Sequence, residues 1–380
     1  MTAQRIGLNA VFLQPRMGGL ETFVRRLVPA LIELRPEARF VVFANAGGAR
    51  SLKEEWGGAV EVVTHALLGR RYVRAISELT LLAALADRRG LDLLHSVAMV
   101  GPLRLKAAHV VTVGDLIWWH DAASTGRPTA ALWRTVVPRV ARRATRLQTF
   151  SEATAQDLVE HLGIPRTRID IVAPGYGTEP SAEPTPEAVL RERLGLGAGR
   201  VVLTVSAKRT HKNLMRLVRA FAAVRDRASD AVLVMPGNPT EHERELAAEA
   251  ASLGIADSVH FPPYVDAAEL EGLYGLATCV VYPSLREGFG LPILEAMRRD
   301  VPVVAARASS LPEVGGDAVR YFDPEDERGL ADVIVELLED PGLALRLVAA
   351  GRERAAEFTW EATARATLQS YDRAVAETGH

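Results

Sequence analysis

The stretch PSLREGFGLPILEAM (residues 283–297) sets two glutamates, Glu287 and Glu295, eight positions apart, with Gly288, Gly290 and Pro292 between them. It follows ATCVVYP (277–283), an apolar run of strand length closed by a proline. Pro292 has the fixed φ of a first helical turn. Residues 284–291 are therefore expected to connect a buried strand to a helix at the carboxyl edge of a sheet. There Gly288 and Gly290 permit a close backbone approach to a ligand. The N–H groups of Phe289, Gly290 and Leu291 would offer an anion the positive end of the helix dipole. A carboxylate accepts two hydrogen bonds at once, so Glu295 suits the vicinal hydroxyls of a ribose. Glu287, on the opposite lip, suits a second polyhydroxyl group. Singly, Glu295 reads equally well as a helix residue that complements the dipole, and Glu287 as a solvated loop residue. The pair around one Gly-x-Gly turn is what points to a ligand.

The same strand-then-helix unit recurs along the chain. In the front half the expected strands are 5–12, 39–44, 91–95, 109–113, 146–150 and 168–173, with helical patterns at 20–34, 75–88, 130–144 and 152–162. TEPSAEPTPE (178–187) then breaks the pattern with three prolines and three glutamates, as a stiff solvated linker would. Expected strands resume at 200–205, 231–235, 259–265, 277–283, 301–306 and 318–322. Alternating βαβ units predict an α/β protein of two doubly wound parallel sheets, Rossmann-like domains facing a central cleft. The length of 380 residues suits two domains. The expected boundaries are 1–177 and 199–357, joined by a linker over 178–198 and followed by a C-terminal segment, 358–380.

Composition is that of an ordinary globular enzyme, 48% apolar and 24% charged. The N-terminal MTAQRIGLNAVF shows no leader pattern and runs almost directly into a strand, so a cytoplasmic protein is expected. One cysteine, Cys279, forms no internal disulfide and no cysteine metal site. No Asp-x-Asp motif or histidine ligand spacing is evident, so the expected metal set is none. Residues 1–178 carry 23 Lys+Arg against 15 Asp+Glu, a net +8, and the remainder carries 22 against 32, a net −10. A basic front half fits an anionic partner, either a phosphorylated acceptor or a membrane surface, or else attraction between the two halves. Arg139, Arg142, Arg143 and Arg146 fall at i, i+3, i+4 and i+7, which predicts one basic helical face suited to peripheral membrane contact or to solvent. Nucleic acid is not expected, because no aromatic and basic platform accompanies the slightly negative total charge.

Lysine is scarce: four against 41 arginines, with Lys208 and Lys212 both in AKRTHKN (207–213). A compact ammonium where arginine is the usual choice suggests a specific task for Lys212, with Arg209 assisting.

EGFGLPILE (287–295) resembles the E-x7-E motif of retaining glycosyltransferases of the GT4 type with the GT-B fold. HKNLMRLVRAFA (211–222), VPVVAARASSLPEVGGDAVRYFDPED (301–326), MGGLETFVRRL (17–27) and FTWEATARATLQSYDRAV (358–375) are similar to further segments of bacterial mannosyltransferase-like members, in the family's order. The resemblance implies transfer of a hexose or deoxyhexose from a nucleotide-diphosphate sugar to a hydroxyl acceptor (a glycan, a lipid-linked sugar or a small natural product). It implies Lys212 on the diphosphate, with Arg209 as a candidate second cation whose register is open because this chain has Ala207 where many relatives have arginine, Glu287 beside the donor hexose and Glu295 on the ribose. Gly18 and Gly19 would form the front-domain loop over the phosphates, Tyr264 and Val265 would meet the base through their backbone, and 358–380 would return to the first domain. No cofactor beyond the co-substrate is implied.

A second departure from the family lies in the front half. Relatives carry His-Asp where VVTVGDL (110–116) has Gly114 and Asp115. In the family that histidine approaches the donor sugar, often near its sixth carbon. Glycine leaves space there and removes a hydrogen-bond partner, which predicts a donor without a 6-hydroxyl or His120 as a substitute, or else a subgroup that simply tolerates glycine. Asp115, Trp118, Trp119 and His120 are the acceptor-side candidates, the two tryptophans either stacking on an acceptor's apolar or sugar face or forming half-buried core. Three rivals remain: a dinucleotide oxidoreductase, disfavoured because GFGLPI lacks the third glycine; a GT-B epimerase or phosphorylase; and a nucleotide-sugar-binding protein without turnover.

Overall fold

The computed structural model describes residues 2–13, 19–68, 74–176, 183–263 and 265–379. The chain forms two compact units, Met1–Gly175 with Phe358–His380, and Tyr176–Glu357.

In the first unit the strands are β1 (Arg5–Ala10), β2 (Arg39–Ala44), β3 (Glu61–Thr64), β4 (Leu93–Ser96), β5 (Ala108–Thr112), β6 (Arg146–Thr149) and β7 (Ile169–Ile171). They pair in parallel in the order β3-β2-β1-β4-β5-β6-β7. Their near-continuous apolar runs are what strands covered on both faces require; β4 and β5 are buried at every residue. The short edge strand β3, half exposed and carrying Glu61 and Thr64, gave too weak an apolar pattern to be expected. The helical pattern at 75–88 resolves into Arg74–Leu79 and Leu81–Arg88, interrupted at Thr80, whose hydroxyl donates back to the Ile76 carbonyl at 2.8 Å.

The C-terminal helix Trp360–Thr378 belongs to this unit. Tyr371 Oη lies 2.7 Å from His95 Nδ1, while Thr112 Oγ1 sits 2.6 Å from His95 Nε2. Arg35 grips Asp372 with two bonds of 2.8 and 2.7 Å. A Cβ on Gly175 would lie 2.7 Å from the Trp360 nitrogen, so only glycine lets the chain pass there.

The basic stripe expected through Arg146 does not form. The helix Arg127–Arg143 ends before it, and Arg146 lies on β6. Its guanidinium is 7% exposed and makes two bonds to Asp170, 2.7 and 2.8 Å, with Glu377 as a further partner. Burial alone would raise the Asp170 pKa, but the Arg146 hydrogen bonds override it and hold the group below its ordinary value. Arg142 and Arg143 donate to the carbonyls of Leu162 and Leu103.

In the second unit β8 (Arg200–Leu203), β9 (Ala231–Val234), β10 (Val259–His260), β11 (Ala277–Tyr282), β12 (Val303–Ala306) and β13 (Val319–Phe322) form a parallel sheet in the order β10-β9-β8-β11-β12-β13. The expected linker 178–198 is too long. Glu187–Leu194 is a helix, and it packs with Thr185 against the helix Ala267–Leu276, where a Cβ on Gly272 would sit 2.5 Å from both Leu190 Cδ1 and the Thr185 carbonyl oxygen. Leu190 anchors it in the core of the second unit. No helix among the described residues is long and apolar enough to cross a membrane.

Candidate functional site

In the second sheet the chain leaves β8 in one direction to build β9 and β10, and returns to the other side of β8 with β11. The carboxyl ends of β8 and β11 therefore diverge at a topological switch point, the place where open α/β sheets seat their ligands. The loop after β8 carries Lys208, Arg209 and Lys212; the loop after β11 carries Glu287. Leu285 N donates to the His211 carbonyl at 2.9 Å, and Thr204 Oγ1 donates to the Val281 carbonyl at 3.0 Å, so the two loops are fixed to each other.

At that junction Lys212 Nζ donates to Glu287 Oε1 at 2.6 Å and to Tyr282 Oη at 3.0 Å. The two charged side chains are 14% and 10% exposed. Burial by itself would raise the Glu287 pKa, but the Lys212 ammonium outweighs it and holds the carboxyl below its ordinary range. Burial, with the Glu287 carboxylate beside it, pushes the Tyr282 phenol well up; Glu295 adds to the same effect. Both glutamates of the opening motif thus act on one tyrosine.

The loop backbone is held from β12. Ser309 Oγ donates to the Glu287 carbonyl at 2.8 Å, and the fully buried Ser310 Oγ lies 3.1 Å from the same carbonyl and 2.6 Å from that of Phe289. Ser309 takes a left-handed φ of 52° to do so. Gly290 caps the helix Leu291–Met297 with a φ of 117°, and a Cβ there would meet Leu311 Cδ2 at 2.8 Å. Glycine is required at 290 on both counts. Gly288 and Phe289 are buried in the same loop, and Leu291 opens the helix.

Glu295 stands in the second turn of that helix, half-buried, with Tyr274 Oη 3.4 Å from its Oε2. Arg299 donates to the Glu295 carbonyl at 2.9 Å and pairs with Glu271, while its guanidinium lies 4.7 Å from the Tyr274 ring centre. Arg209 is exposed and precedes the turn Thr210–Lys212. Lys208 does a different job from Lys212: its ammonium is buried, donates to the Gly237 carbonyl at 3.0 Å and lies 2.9 Å from Glu243 Oε2. Val265 precedes the capping box of Asp266 and Glu269. Gly18 and Tyr264 lie outside the described residues; Gly19 opens the helix Gly19–Leu34.

The first unit corrects several expectations. Trp118 is 1% exposed and donates through Nε1 to the Asp115 carbonyl at 3.2 Å, so it is core rather than a stacking platform. Asp115 shapes its own turn, accepting from Ile117 N at 2.9 Å. Trp119 is half-buried, stacked on His161. His120 Nε2 lies 3.1 Å from Asp157 Oδ2. The room expected beside Gly114 is filled, since a Cβ at 114 would lie 2.8 Å from Phe150 Cε2. Phe150 in turn packs on Phe23, ring centres 5.0 Å apart.

Tyr282, Ser309 and Ser310 were not picked out by sequence reasoning. Their signal lay in strand order: ATCVVYP and VPVVAARASS end on neighbouring strands, so their last residues must meet.

Comparison with known proteins bears on this arrangement. Residues 189–354 match the family described as Glycosyl transferases group 1, and residues 17–179 match Glycosyltransferase Family 4. The chain is 32% identical over 301 residues to the MMP alpha-(1->4)-mannosyltransferase of Mycolicibacterium hassiacum, covering 76% of this chain and 69% of that protein. It is 30% identical over 381 residues to the D-inositol 3-phosphate glycosyltransferase of Salinispora arenicola, covering 93% and 82%. Among solved structures, Anabaena HepE in complex with UDP and glucose superimposes with a TM-score of 0.72 at 20% identity, over 97% of this chain and 99% of that one. WaaG, a glycosyltransferase of lipopolysaccharide biosynthesis, gives 0.69 at 16% identity over 96% and 98%. These likenesses extend to both parallel sheets, the GT-B architecture.

Proposed function

The chain belongs to the group 1 glycosyltransferases, and on that premise we propose that it moves a hexose or deoxyhexose from a nucleoside diphosphate to a hydroxyl acceptor with retention at the anomeric carbon. The observation that carries the donor site is the Lys212–Glu287 pair at the switch point between β8 and β11. Two of the three ammonium donors of Lys212 are engaged by Glu287 and Tyr282. The third is left for a phosphate oxygen. As the bond from sugar to diphosphate breaks, negative charge grows on the leaving oxygen, and a fixed cation there stabilises the transition state more than the ground state. Glu287 keeps that ammonium in place and offers its second oxygen to the donor sugar. Glu295 accepts from the ribose hydroxyls, and Arg209 adds a second cation. The N–H groups of residues 289–291 complete the phosphate seat. In this reading the acceptor enters on the face the diphosphate leaves, and the diphosphate takes its proton. The diphosphate's charge is met by protein cations, with no metal required.

Two features narrow the substrates. The net +8 of residues 1–178 fits an acceptor that carries phosphate, in keeping with the inositol 3-phosphate named for one relative. Gly114, standing where relatives carry a histidine, removes a hydrogen-bond partner and so fits a donor with no hydroxyl on its sixth carbon. The test is product formation from a panel of UDP, GDP, ADP and dTDP sugars, each offered phosphorylated and unphosphorylated acceptors. Transfer from one nucleotide class is expected, best with a 6-deoxysugar and a phosphorylated acceptor. A panel led by UDP-glucose or GDP-mannose over every deoxysugar overturns the deoxysugar assignment, and no transfer with bound diphosphate would favour a binding protein without turnover.

A further inference from the structure

His120, Asp157 and His161 form a cluster in the first unit that the transfer chemistry does not use. His120 ends the short helix Ile117–His120, which follows β5, and Asp157 and His161 lie one turn apart on the helix Glu152–Leu162, which follows β6. The fold thus brings the segment after β5 against the helix after β6. His120 Nε2 is 3.1 Å from Asp157 Oδ2, and His161 Nε2 is 3.7 Å from Asp157 Oδ1. The three ligand atoms lie within 4.8 Å of one another.

We infer that His120, Asp157 and His161 form a binding site for a divalent transition metal of the zinc class. Zinc binds imidazole nitrogen and carboxylate oxygen at about 2.0–2.2 Å, and tetrahedral ligands at that radius stand roughly 3.4 Å apart. The nitrogen-to-oxygen distances, 3.1 Å from His120 to Oδ2 and 3.7 Å from His161 to Oδ1, are near that separation, and with one carboxylate oxygen as ligand the three donor atoms still fall within 4.8 Å of one another. The donor set of two imidazoles and one carboxylate selects zinc, cobalt, nickel or copper over magnesium or calcium, which take oxygen ligands.

The surroundings hold the rings ready. Trp119 stacks on the His161 ring at 5.9 Å and 25°, and the two imidazoles meet edge to face at 4.8 Å. The buried Trp118 fixes the helix that presents His120. The side chains of His120, Asp157 and His161 remain 16%, 23% and 30% exposed, so an ion can enter and keep a water as its fourth ligand. A bound ion would cross-link the segment 117–120 to the helix 152–162. The i, i+4 spacing of Asp157 and His161 is in the sequence but was not read there as ligand spacing, because the third ligand, 37 residues from Asp157, is placed only by the fold.

The inference stands apart from the donor-site reading: zinc binding can fail while a diphosphate still binds, and the reverse. The test uses the untagged full-length protein, stripped with EDTA and dialysed. Zinc chloride is titrated calorimetrically, the Tm is recorded with zinc and with magnesium, and cobalt is added to give a visible ligand-field spectrum. One equivalent of zinc is expected to bind and raise the Tm by several degrees, magnesium to do neither, and cobalt to give an intense band. His161→Ala, His120→Ala and Asp157→Asn should each weaken zinc binding at least tenfold. The partly exposed His161 makes its variant the one expected to keep the apo-protein Tm. No saturable zinc binding in the wild type, or binding undiminished in a folded His161→Ala protein, overturns the site and leaves two histidines that share a carboxylate.

Discussion

Lys212 Nζ and Glu287 Oε1 meet at 2.6 Å, although one follows β8 and the other follows β11, 75 residues further along the chain. Each is nearly enclosed, so removing either strands the other's charge. Breaking such a pair from one side costs about 3–5 kcal/mol. Loss of a donor aimed at developing charge costs about 10² to 10³ in rate. Lys212→Met and Glu287→Gln are both expected to lose at least that much kcat/KM, and Lys212→Met to lower Tm as well. Lys212→Arg should not restore the rate, because a planar fork cannot take the place of a point charge held between Glu287 and Tyr282. Steady-state kinetics beside thermal melts separate the two effects; an active Lys212→Met enzyme would remove lysine from the mechanism.

Gly114→Ala puts a methyl group 2.8 Å from Phe150 Cε2. Forcing extra volume into a packed site costs about 1–3 kcal/mol. The same alanine in a Phe150→Leu background is expected to cost less, because the ring is what it meets. A double-mutant cycle by chemical denaturation measures the coupling. Additive losses would show that the backbone, and not the ring, excludes a side chain at 114.

The Arg299–Glu271 pair is buried, 5% and 8% exposed, under the helix that carries Glu295. Arg299→Met leaves the Glu271 carboxylate without its cation and is expected to destabilise the second unit by about 3–5 kcal/mol, whereas Arg299→Met with Glu271→Leu should recover most of that loss. Because Arg299 also holds the Glu295 carbonyl, the double variant is expected to bind a nucleoside diphosphate more weakly than wild type at equal stability. Equal affinity would show that Glu295 is positioned without it.

His95 and His109 are fully enclosed in the first sheet. Burial, with the charge of His109 nearby, lowers His95 to about 3, and burial lowers His109 to about 4. A group whose folded pKa is depressed leaves stability intact above its unfolded value, near 6.5. The stability is then lost as pH falls, because only the unfolded chain takes up the proton. The loss is roughly 2 kcal/mol per histidine at pH 5 relative to pH 7. His109→Gln should recover about half of the combined loss. Denaturant melts of the first-unit transition at the two pH values check this; a profile flat from pH 7 to 5 contradicts neutral burial.

Both sheets were legible because parallel strands covered on two faces leave apolar runs that need no tertiary knowledge to see. Of the thirteen strands among the described residues, the one missed, β3, is an edge strand whose polar residues face solvent. The same logic explains the errors at the candidate site. Periodicity carried a helical stripe through Arg146, but the chain turns out of the helix at Ala144 and Arg146 pairs with Asp170 on the neighbouring strand. Trp118 looked available for stacking because sequence says nothing of which side of a four-residue helix faces the core. Gly114 looked like open space because the ring that fills it belongs to the next strand's end. Motif and resemblance picked out Lys212 and Glu287 separately; that they meet, through the adjacency of β8 and β11, appears only in the strand order.

The central claim is that the Lys212–Glu287 junction binds the diphosphate of a sugar nucleotide. Calorimetric titration of UDP, GDP, ADP and dTDP into wild type, Glu295→Ala and a folded Lys212→Met variant, each with and without EDTA, tests it most directly. One diphosphate is expected to bind the wild type, with an affinity that EDTA leaves unchanged and that both substitutions weaken at least tenfold. Failure of all four to bind at millimolar concentration, or equal affinity in wild type and Lys212→Met, would contradict it.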